Sequence, residues 1–510
     1  MNTGAARRAS MPALTVSAEL QGRHIVVVGA GIGGLAAAIG AAASGARVTV
    51  LEAHAQAGGK AGIAVVDGVE FDTGPSVVTL LAELDAVFAQ AGVRLEDFVT
   101  PLESDTPFRY IYPSTGAVVD IYADWERSRE SIERALGGPA AAQADEFVSY
   151  CGRIWAAAEK HFISGPQPNL ARMGWLTLRH PAAVMAIDSM RTMKQAIDAC
   201  VQDPHLRDLF YRYATYNGSD VRRAPATLNC IAFVELGLGG YGIEGGLYVL
   251  IRAMHAVAAE LGVDFRFGAR ADRIVVESGQ ARAVVVGAEQ LACDAVVVNA
   301  DSAHLFTKLL GRPEPKKLDA SMSGWTAVVR ARRRSERPAH CVLFAEDYVQ
   351  EFVDIFDGDI PPSTPTVYLC AQEKAHHRTG WAQHEPLFVM ANAPAEPVGA
   401  RTDDAIWADL RTRVMDRIVK AGLVDADDEV VWERTPGMLA AEFPDSRGSI
   451  YGAASNDKFA AFRRTGNRVD GVRGVYAASG SAHPGGGVPL CARSGVAVAE
   501  LLREDVGARR

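Results

Sequence analysis

The run His24-Ile25-Val26-Val27-Val28 ends directly in Gly29-Ala30-Gly31-Ile32-Gly33-Gly34, and this junction constrains the fold more than any other part of the chain. A short β-branched run closed by glycines reads as a strand buried on both faces. Residues 35–44 are alanine-rich and helix-forming, Gly45 ends that helix, and Arg47-Val48-Thr49-Val50-Leu51 reads as a second strand. Strand, helix and strand in this order open a doubly wound α/β unit. In that setting the GxGxxG spacing has a mechanical meaning. Gly29 permits the tight turn, Gly31 lets backbone approach a pyrophosphate, and Gly34 lets the helix pack closely on the strand. The helix N-terminus adds free N–H groups and a partial positive charge. Glu52, 23 residues after Gly29, is placed to accept from both hydroxyls of a ribose and to repel a 2′-phosphate, which disfavours NADP.

Gly58-Gly59-Lys60, Gly62 and Asp72-Thr73-Gly74-Pro75 follow. An acid followed by two glycines and a base is similar to the extended fingerprint of FAD enzymes of the glutathione-reductase-like superfamily. Gly59 then allows a second backbone approach to the cofactor, and Lys60 adds charge near its phosphates. A second GxGxxG, from Gly240 to Gly245, follows no β-branched strand, and the strand after it, 263–267, ends without a carboxylate. It is not read as a nicotinamide site, so electrons leave the flavin to oxygen, a quinone or another acceptor. Near the C-terminus, Gly480-Ser481-Ala482-His483-Pro484-Gly485-Gly486-Gly487-Val488-Pro489 lies between a strand and a helix. A helix N-terminus there suits the negative edge of a reduced flavin, contributing ~0.3–1 kcal/mol when exposed and about 2 when partly buried.

Helical periodicity dominates from about 80 to 235, as in 82–91, 125–136 and 141–160. The α/β pattern returns with a helix at 247–261 and strands at 263–267, 273–277, 281–286 and 295–299, and residues 310–440 are again mixed. The reading is an α/β chain: a Rossmann-like FAD-binding domain assembled from three chain segments, with an inserted mixed α+β substrate domain. Its divisions are a disordered tail at 1–20, FAD-binding segments at 21–80, 241–309 and 441–510, a helical substrate segment at 81–240 and a second substrate segment at 310–440. The net charge of −9 argues against nucleic acid as a partner. Arg330, Arg332, Arg333, Arg334 and Arg337 read as a solvated edge, or else as a patch for anionic lipid. Seven scattered cysteines without a CxxC pair speak against a disulfide framework and a zinc site, and fit a reducing compartment. No stretch resembles a secretion signal or a membrane span. The segment 165–193, with Trp175, Leu178 and Met185, reads as core or as a surface that dips into lipid.

Taken together, the opening fingerprint, Asp72-Thr73-Gly74-Pro75, Asn299-Ala300-Asp301 and His483-Pro484-Gly485-Gly486-Gly487 resemble the bacterial phytoene-desaturase family of FAD enzymes over about 20–500. Tyr213-Ala214-Thr215-Tyr216-Asn217-Gly218 and Glu235-Leu236-Gly237-Leu238-Gly239-Gly240-Tyr241 look most like its hydroxyneurosporene (1-hydroxycarotenoid 3,4-) desaturase branch. Arg493 departs from the smaller or apolar residue expected in the last helix. The resemblance implies Glu52 on the adenosine ribose, Lys60 near the phosphates, the Ala271 backbone on the adenine, and Gly480 with the Gly487–Val488 turn against the isoalloxazine. It implies a desaturase that moves a hydride to flavin N5 and loses a proton. The substrate would be an acyclic, hydroxylated or methoxylated carotenoid, met at the cytoplasmic membrane surface by a peripherally associated enzyme. A phytoene desaturase, a retinol-saturase-like enzyme and an amine-oxidase-like enzyme are the alternatives.

Loss of a hydride beside a polyene leaves a delocalised cation that needs little help from a strong base, and no Ser-His-Asp or paired-carboxylate motif is present. His483 is the obvious catalytic base, but it reads better as a histidine that shapes the glycine turn. Glu235 and Glu244 carry less weight, and His376-His377 reads as a loop with no metal.

Overall fold

His24–Val28 is the central strand of a five-stranded parallel sheet in the order Val475–Ala477, Ala295–Val298, His24–Val28, Arg47–Glu52, Asp264–Phe267. This computed structural model describes residues 12–104, 108–163, 165, 167, 174–175, 178–315, 318–395 and 404–507. Ile25 and Val27 point to a layer of helices, Ile32–Ala43, Tyr248–Glu260 and Val488–Leu502. Val26 and Val28 point the other way, onto a three-stranded antiparallel sheet of Arg273–Glu277, Gln280–Val286 and Glu289–Ala292. Both faces are covered, so the strand carries an unbroken apolar run instead of an alternation.

The chain's first and last long helices are in contact. A Cβ on Gly495 would lie 2.4 Å from the Gly33 carbonyl oxygen and 2.5 Å from the Ala36 Cβ, so glycine at this crossing is what lets Val488–Leu502 seat on Ile32–Ala43.

A second sheet of seven strands runs Glu429–Arg434, Ser323–Arg332, His384–Ala393, Val367–Ala371, His340–Leu343, Phe108–Tyr112, Ala117–Ile121. The helix Asp404–Lys420 covers one face through Trp407, Leu410, Val414 and Ile418. The other face meets the helices Trp125–Leu136, Gly138–Ala158, Met193–Cys200 and Pro204–Tyr211.

Several expectations change. Phe108–Tyr112 and Ala117–Ile121 form a hairpin inside the segment read as helical. The sequence left the pairing of the strands at 273–277 and 280–286 open; they pair with each other and roof the far face of the parallel sheet. The tail does not extend to Leu20. Leu20 is fully buried, and the Thr15 and Ser17 amides donate to the Ala91 and Ala43 carbonyls. The basic run is not a free patch, since every arginine in it meets a carboxylate: Arg330 with Asp67, Arg332 and Arg334 with Asp425, Arg333 with Glu373, and Arg337 with Glu385. All seven cysteines are unpaired. His376 ends the helix Gln372–His376, is fully buried, and accepts from the Ile243 amide at 3.1 Å.

One buried carboxyl sets a pH dependence. Glu351, in the helix Tyr348–Phe356, accepts from Asn392 Nδ2 at 2.9 Å and from the Thr366 amide at 2.8 Å, clasping two strand ends of the large sheet. Burial pushes its pKa up to about 7 from an ordinary 4.5, against those hydrogen bonds. A raised folded-state value favours the protonated form in the fold. The stabilisation is therefore complete below about 4.5 and is lost as pH rises through about 7. We expect thermal stability to fall between pH 5 and 8, by an amount on the order of 1–3 kcal/mol from this group. Glu351→Gln should flatten that slope, and calorimetry across this range on both proteins checks it.

Candidate active site

The glycine turn opens on a cavity of about 340 Å³ that reaches from the edge of the parallel sheet to the C-terminal glycine turn. Gly29, Gly31, Glu52, Gly59, Lys60, Ala271, Gly480, Gly487 and Val488 all border it. Gly34 does not. Its Cβ would lie 2.1 Å from the Gly29 carbonyl oxygen, so its part is the close helix–strand contact. Gly31 is the N-cap of Ile32–Ala43, and its Cβ would come 2.5 Å from Asn299 Oδ1. Asn299 cannot easily yield, because its Nδ2 donates to the Ala478 carbonyl at 2.5 Å. With no side chain capping this helix, its first N–H groups are left for an anion at the cavity floor.

Glu52 has structural partners of its own. Its Oε2 accepts the Ala30 amide at 2.7 Å, and its Oε1 accepts the His54 amide at 2.8 Å, with His54 Nδ1 at 3.0 Å. The carboxylate thus ties the glycine turn to the end of its own strand and keeps one lone-pair direction on Oε2. Lys60 reaches across the cavity: its Nζ donates to the Ser449 carbonyl at 2.5 Å and lies 5.7 Å from the Phe443 ring centre. Burial pulls its pKa down, opposed by Asp301, whose carboxyl burial in turn pushes up. This places the Lys60 ammonium beside the 443–451 stretch.

At the other end, Gly487 is the N-cap of Val488–Leu502, with φ of 104° and nothing within 4 Å of where its Cβ would be. A left-handed residue facing open space is one that glycine alone fills without strain. The turn is bolted by Arg464, which donates to the Gly480 carbonyl at 3.1 Å and the Ala453 carbonyl at 3.0 Å. His483 is buried, and its Nε2 meets the Gly165 carbonyl at 2.9 Å, while its own carbonyl accepts from Asn467 and Ser494. Among the described residues its side chain borders neither the cofactor cavity nor the chamber described next. Arg493 also stays off both walls, so its departure from the smaller residue expected there does not reach either cavity.

Beyond this turn lies a larger chamber of about 790 Å³ between the seven-stranded sheet and the helices of 138–236. The two cavities share Pro75, Phe388, Met390, Tyr451 and Gly486–Val488 as a common wall. Glu244 borders neither, and Glu235 is bound to Tyr213 and Tyr216.

Sequence reasoning missed three roles. Asn299 is the lock over Gly31, although its place at a strand end was visible. Asp72 caps a helix: its carboxylate accepts the Leu247 and Tyr248 amides at 2.8 and 3.1 Å, so the glycines before them serve packing. A Cβ on Gly242 would sit 1.9 Å from the Ala375 carbonyl oxygen. Tyr451, on both walls, had no local signal at all.

A glycine cradle with a helix N-terminus at each end, an acid at the adenosine side and one open channel between them define a flavin-dependent oxidoreductase. The residues fit FAD: the position over Gly487 is open, the helix N-terminus at Gly31 carries no side-chain cap, and Glu52 keeps one acceptor direction on Oε2. The chain belongs to the flavin-containing amine oxidoreductases, whose family model matches residues 32–503. Within that family it is 35% identical to hydroxyneurosporene desaturase of Rhodobacter capsulatus, over 94% of this chain and 98% of that one. It is 35% identical to the hydroxyneurosporene desaturase of Rubrivivax gelatinosus (95% and 94% covered), and 29% identical to 4,4'-diapolycopene oxygenase of a Methylomonas species (95% and 99%). Among solved structures, an oxidoreductase from Methanosarcina mazei superposes with a TM-score of 0.60 at 14% identity, covering 94% of this chain and 100% of that one. A putrescine oxidase superposes with a TM-score of 0.59 at 15% identity (96% and 99%). At such identities these two share the fold alone.

The glycine turn gives a direct prediction. Gly31→Val places branched atoms against the Asn299 lock. Whatever fraction of the variant purifies folded should have lost most of its flavin, about tenfold or more by the ratio of 450 to 280 nm absorbance. Full flavin content in a folded variant would remove this turn as the phosphate site.

Proposed function

We infer that this chain is an FAD-dependent carotenoid desaturase, introducing a C=C bond into an acyclic, hydroxylated or methoxylated carotenoid in carotenoid biosynthesis. The observation that carries the reading is the common wall between the cofactor cavity and a large, mainly apolar chamber. A lined space of several hundred Å³ suits a long hydrocarbon chain, and the wall at Gly486–Val488 is where that chain would meet the cofactor. The parallel sheet, drawn from the segments 21–80, 241–309 and 441–510, is read as the FAD-binding body. The segments 81–240 and 310–440, which share the seven-stranded sheet, are read as the substrate domain.

When bound, FAD supplies the acceptor for the hydride that leaves one carbon as a proton leaves its neighbour. The chain's own residues bind and orient. The N-terminus of Ile32–Ala43 would hold the pyrophosphate, Glu52 the ribose, the Ala271 backbone the adenine, and Gly480 with the Gly487–Val488 turn the isoalloxazine. Lys60 would add positive charge near the phosphates, and the N-terminus of Val488–Leu502 favours negative charge at the isoalloxazine end. The chamber excludes water from the polyene. His483 orients the turn: a carbonyl partner requires its Nε2 to carry a proton, which leaves that nitrogen no lone pair for a base.

The route for a water-insoluble substrate is a membrane surface. No helix among the described residues is long and apolar enough to cross a membrane. Instead, Trp175, Leu178, Met185 and Met190 are 53%, 81%, 81% and 77% exposed, and Met190 also lines the chamber, as does Phe459 at 55%. An exposed apolar rim continuous with an apolar chamber supports peripheral attachment at the cytoplasmic face. The electron acceptor on this reading is oxygen or a quinone.

Expression in a carotenoid-producing host, with pigments identified by chromatography and mass, should show loss of two hydrogens from hydroxylated or methoxylated acyclic carotenoids. Unaltered pigments would refute the reading, and conversion of phytoene alone would make it a phytoene desaturase. Polar replacement of Trp175, Leu178 and Met185 together should reduce co-sedimentation with liposomes at constant flavin content, whereas unchanged sedimentation would remove that rim as the contact. His483→Asn should lower turnover far less than the roughly 10²–10⁴-fold that a positioned general base contributes. A loss beyond about a hundredfold with flavin retained would make His483 the proton acceptor.

A further inference from the structure

Of the charged residues that line the chamber, Arg212 and Arg464 are buried, and the mechanism above uses only Arg464, as the bolt of the turn. Arg212 is 8% exposed, ends the helix Pro204–Tyr211 as its C-cap, and lines the chamber. Four rings surround its guanidinium: Tyr216 at 4.9 Å, Phe108 at 5.0 Å, Tyr110 at 5.6 Å and Tyr368 at 5.9 Å. Its Nη1 donates to the hydroxyls of Tyr216 at 3.0 Å and Tyr110 at 3.2 Å. Among the described residues, Nε and Nη2 make no hydrogen bond and no carboxylate comes within ion-pair reach of Arg212. A guanidinium has five N–H donors, so three remain for a ligand.

A cation in an apolar chamber is costly unless its charge is balanced. The balance here is indirect. Tyr216 donates to Glu235 Oε2 at 2.5 Å and Tyr213 to Glu235 Oε1 at 3.0 Å, which sets a carboxylate one phenol away from the guanidinium. Burial lowers the Arg212 pKa, but Tyr216, Tyr110 and Glu235 raise it further, so it stays charged. The network is neutral as a whole and lacks only hydrogen-bond acceptors on the chamber side. That specifies the missing partner. A carboxylate ligand would bring a second negative charge to a network already balanced by Glu235. A hydrocarbon would leave three donors unpaired. A neutral oxygen, an alcohol or an ether on the end of an apolar chain, satisfies them without changing the charge. Glu235 also weakens the field of the guanidinium on the chamber, where an uncompensated cation would oppose the positive charge that develops on a polyene losing hydride.

We propose that Arg212, boxed by Phe108, Tyr110, Tyr216 and Tyr368, is a specificity-determining anchor that binds the hydroxyl or methoxyl oxygen of the carotenoid end group. It is a positioning residue: it holds the oxygenated end so that a bond near it lies at the Gly486–Val488 wall. The proposal rests on the desaturase reading and adds to it the group that selects the substrate.

The test uses the flavin-loaded enzyme with three carotenoids of one chain length that differ only in bearing a tertiary hydroxyl, a methoxyl or a hydrogen at the end carbon. Wild type should favour both oxygenated chains in kcat/KM by about ten- to a hundredfold, the effect of hydrogen bonds to a charged donor. Arg212→Met, similar in length and apolar, should reduce that preference to within about threefold, mainly through a higher KM for the oxygenated chains. Arg212→Lys keeps the charge among the rings but loses the planar fork, and should retain part of the preference. A preference unchanged in folded, flavin-loaded Arg212→Met overturns the anchor. If Arg212→Met does not hold flavin, Arg212→Lys decides alone: a weakened preference supports the anchor and an unchanged one overturns it. Wild type that converts all three chains equally sinks the anchor and leaves the desaturase reading standing. Wild type that converts none of them sinks both.

Discussion

Everything in this molecule depends on a backbone contact that admits no side chain. The turn at Gly29–Gly34 is pressed beneath Asn299 and the end of the Val475–Ala477 strand, where a Cβ on Gly33 would come 2.3 Å from the Ala478 carbonyl oxygen. Asn299 then bonds Ala478, and the last helix crosses the first at Gly495 and Gly33. Three stretches far apart in sequence therefore converge within a few ångströms of one turn. The same contact makes the floor of the cofactor cavity, so the packing that closes the fold also shapes that floor. Interiors this dense transmit any added volume, which is why a methyl group here matters more than one elsewhere in the sheet.

The second organising element is the wall between the two cavities. Its Gly486–Val488 turn is held from behind by Arg464 and from the side by the 449–452 stretch, where a Cβ on Gly486 would come 2.7 Å from the Tyr451 Cβ. Burial brings the Arg464 pKa down to about 10, still far above neutrality, so the bolt remains charged. Two buried charges close backbone groups: Asp72 on a helix N-terminus and Arg464 on a turn. Arg212 differs from these two in its place, since it lines the chamber that the proposed substrate would enter.

The first strand, the glycine turn, Glu52 and the C-terminal turn were legible because each is local: a β-branched run, a glycine spacing, an acid at a strand end. The hairpin at 108–121 was missed although Phe-Arg-Tyr-Ile-Tyr and Ala-Val-Val-Asp-Ile flank a glycine turn, because helical periodicity on both sides of it masked a short strand pair. The strands at 273–286 were recognised but not their pairing, since period and propensity do not say which strand a strand will pair with. The arginine run showed its charges and hid their partners, which lie from about 40 to more than 260 residues away in the chain, from Glu373 to Asp67.

What the sequence determined by itself is the chemistry of the cofactor end, because nucleotide binding on this fold uses backbone N–H groups, glycines and one acid, all held within single turns. What only the tertiary structure decided is the substrate end. The chamber is built from sheet residues of 340–392, helix residues of 155–234 and the loop of 451–464; the Tyr213–Gly218 motif contributes Thr215, Tyr216 and Asn217, but its spacing did not show that it faces a chamber, since an apolar wall is defined by which side chains face each other. The Arg212–Tyr216–Glu235 network has the same character: its members lie within 23 residues of one another, yet the rings from Phe108, Tyr110 and Tyr368 that make it a site come from two other strands. Charge balance and open donors are properties of an enclosure, and the enclosure exists only once those strands are in place.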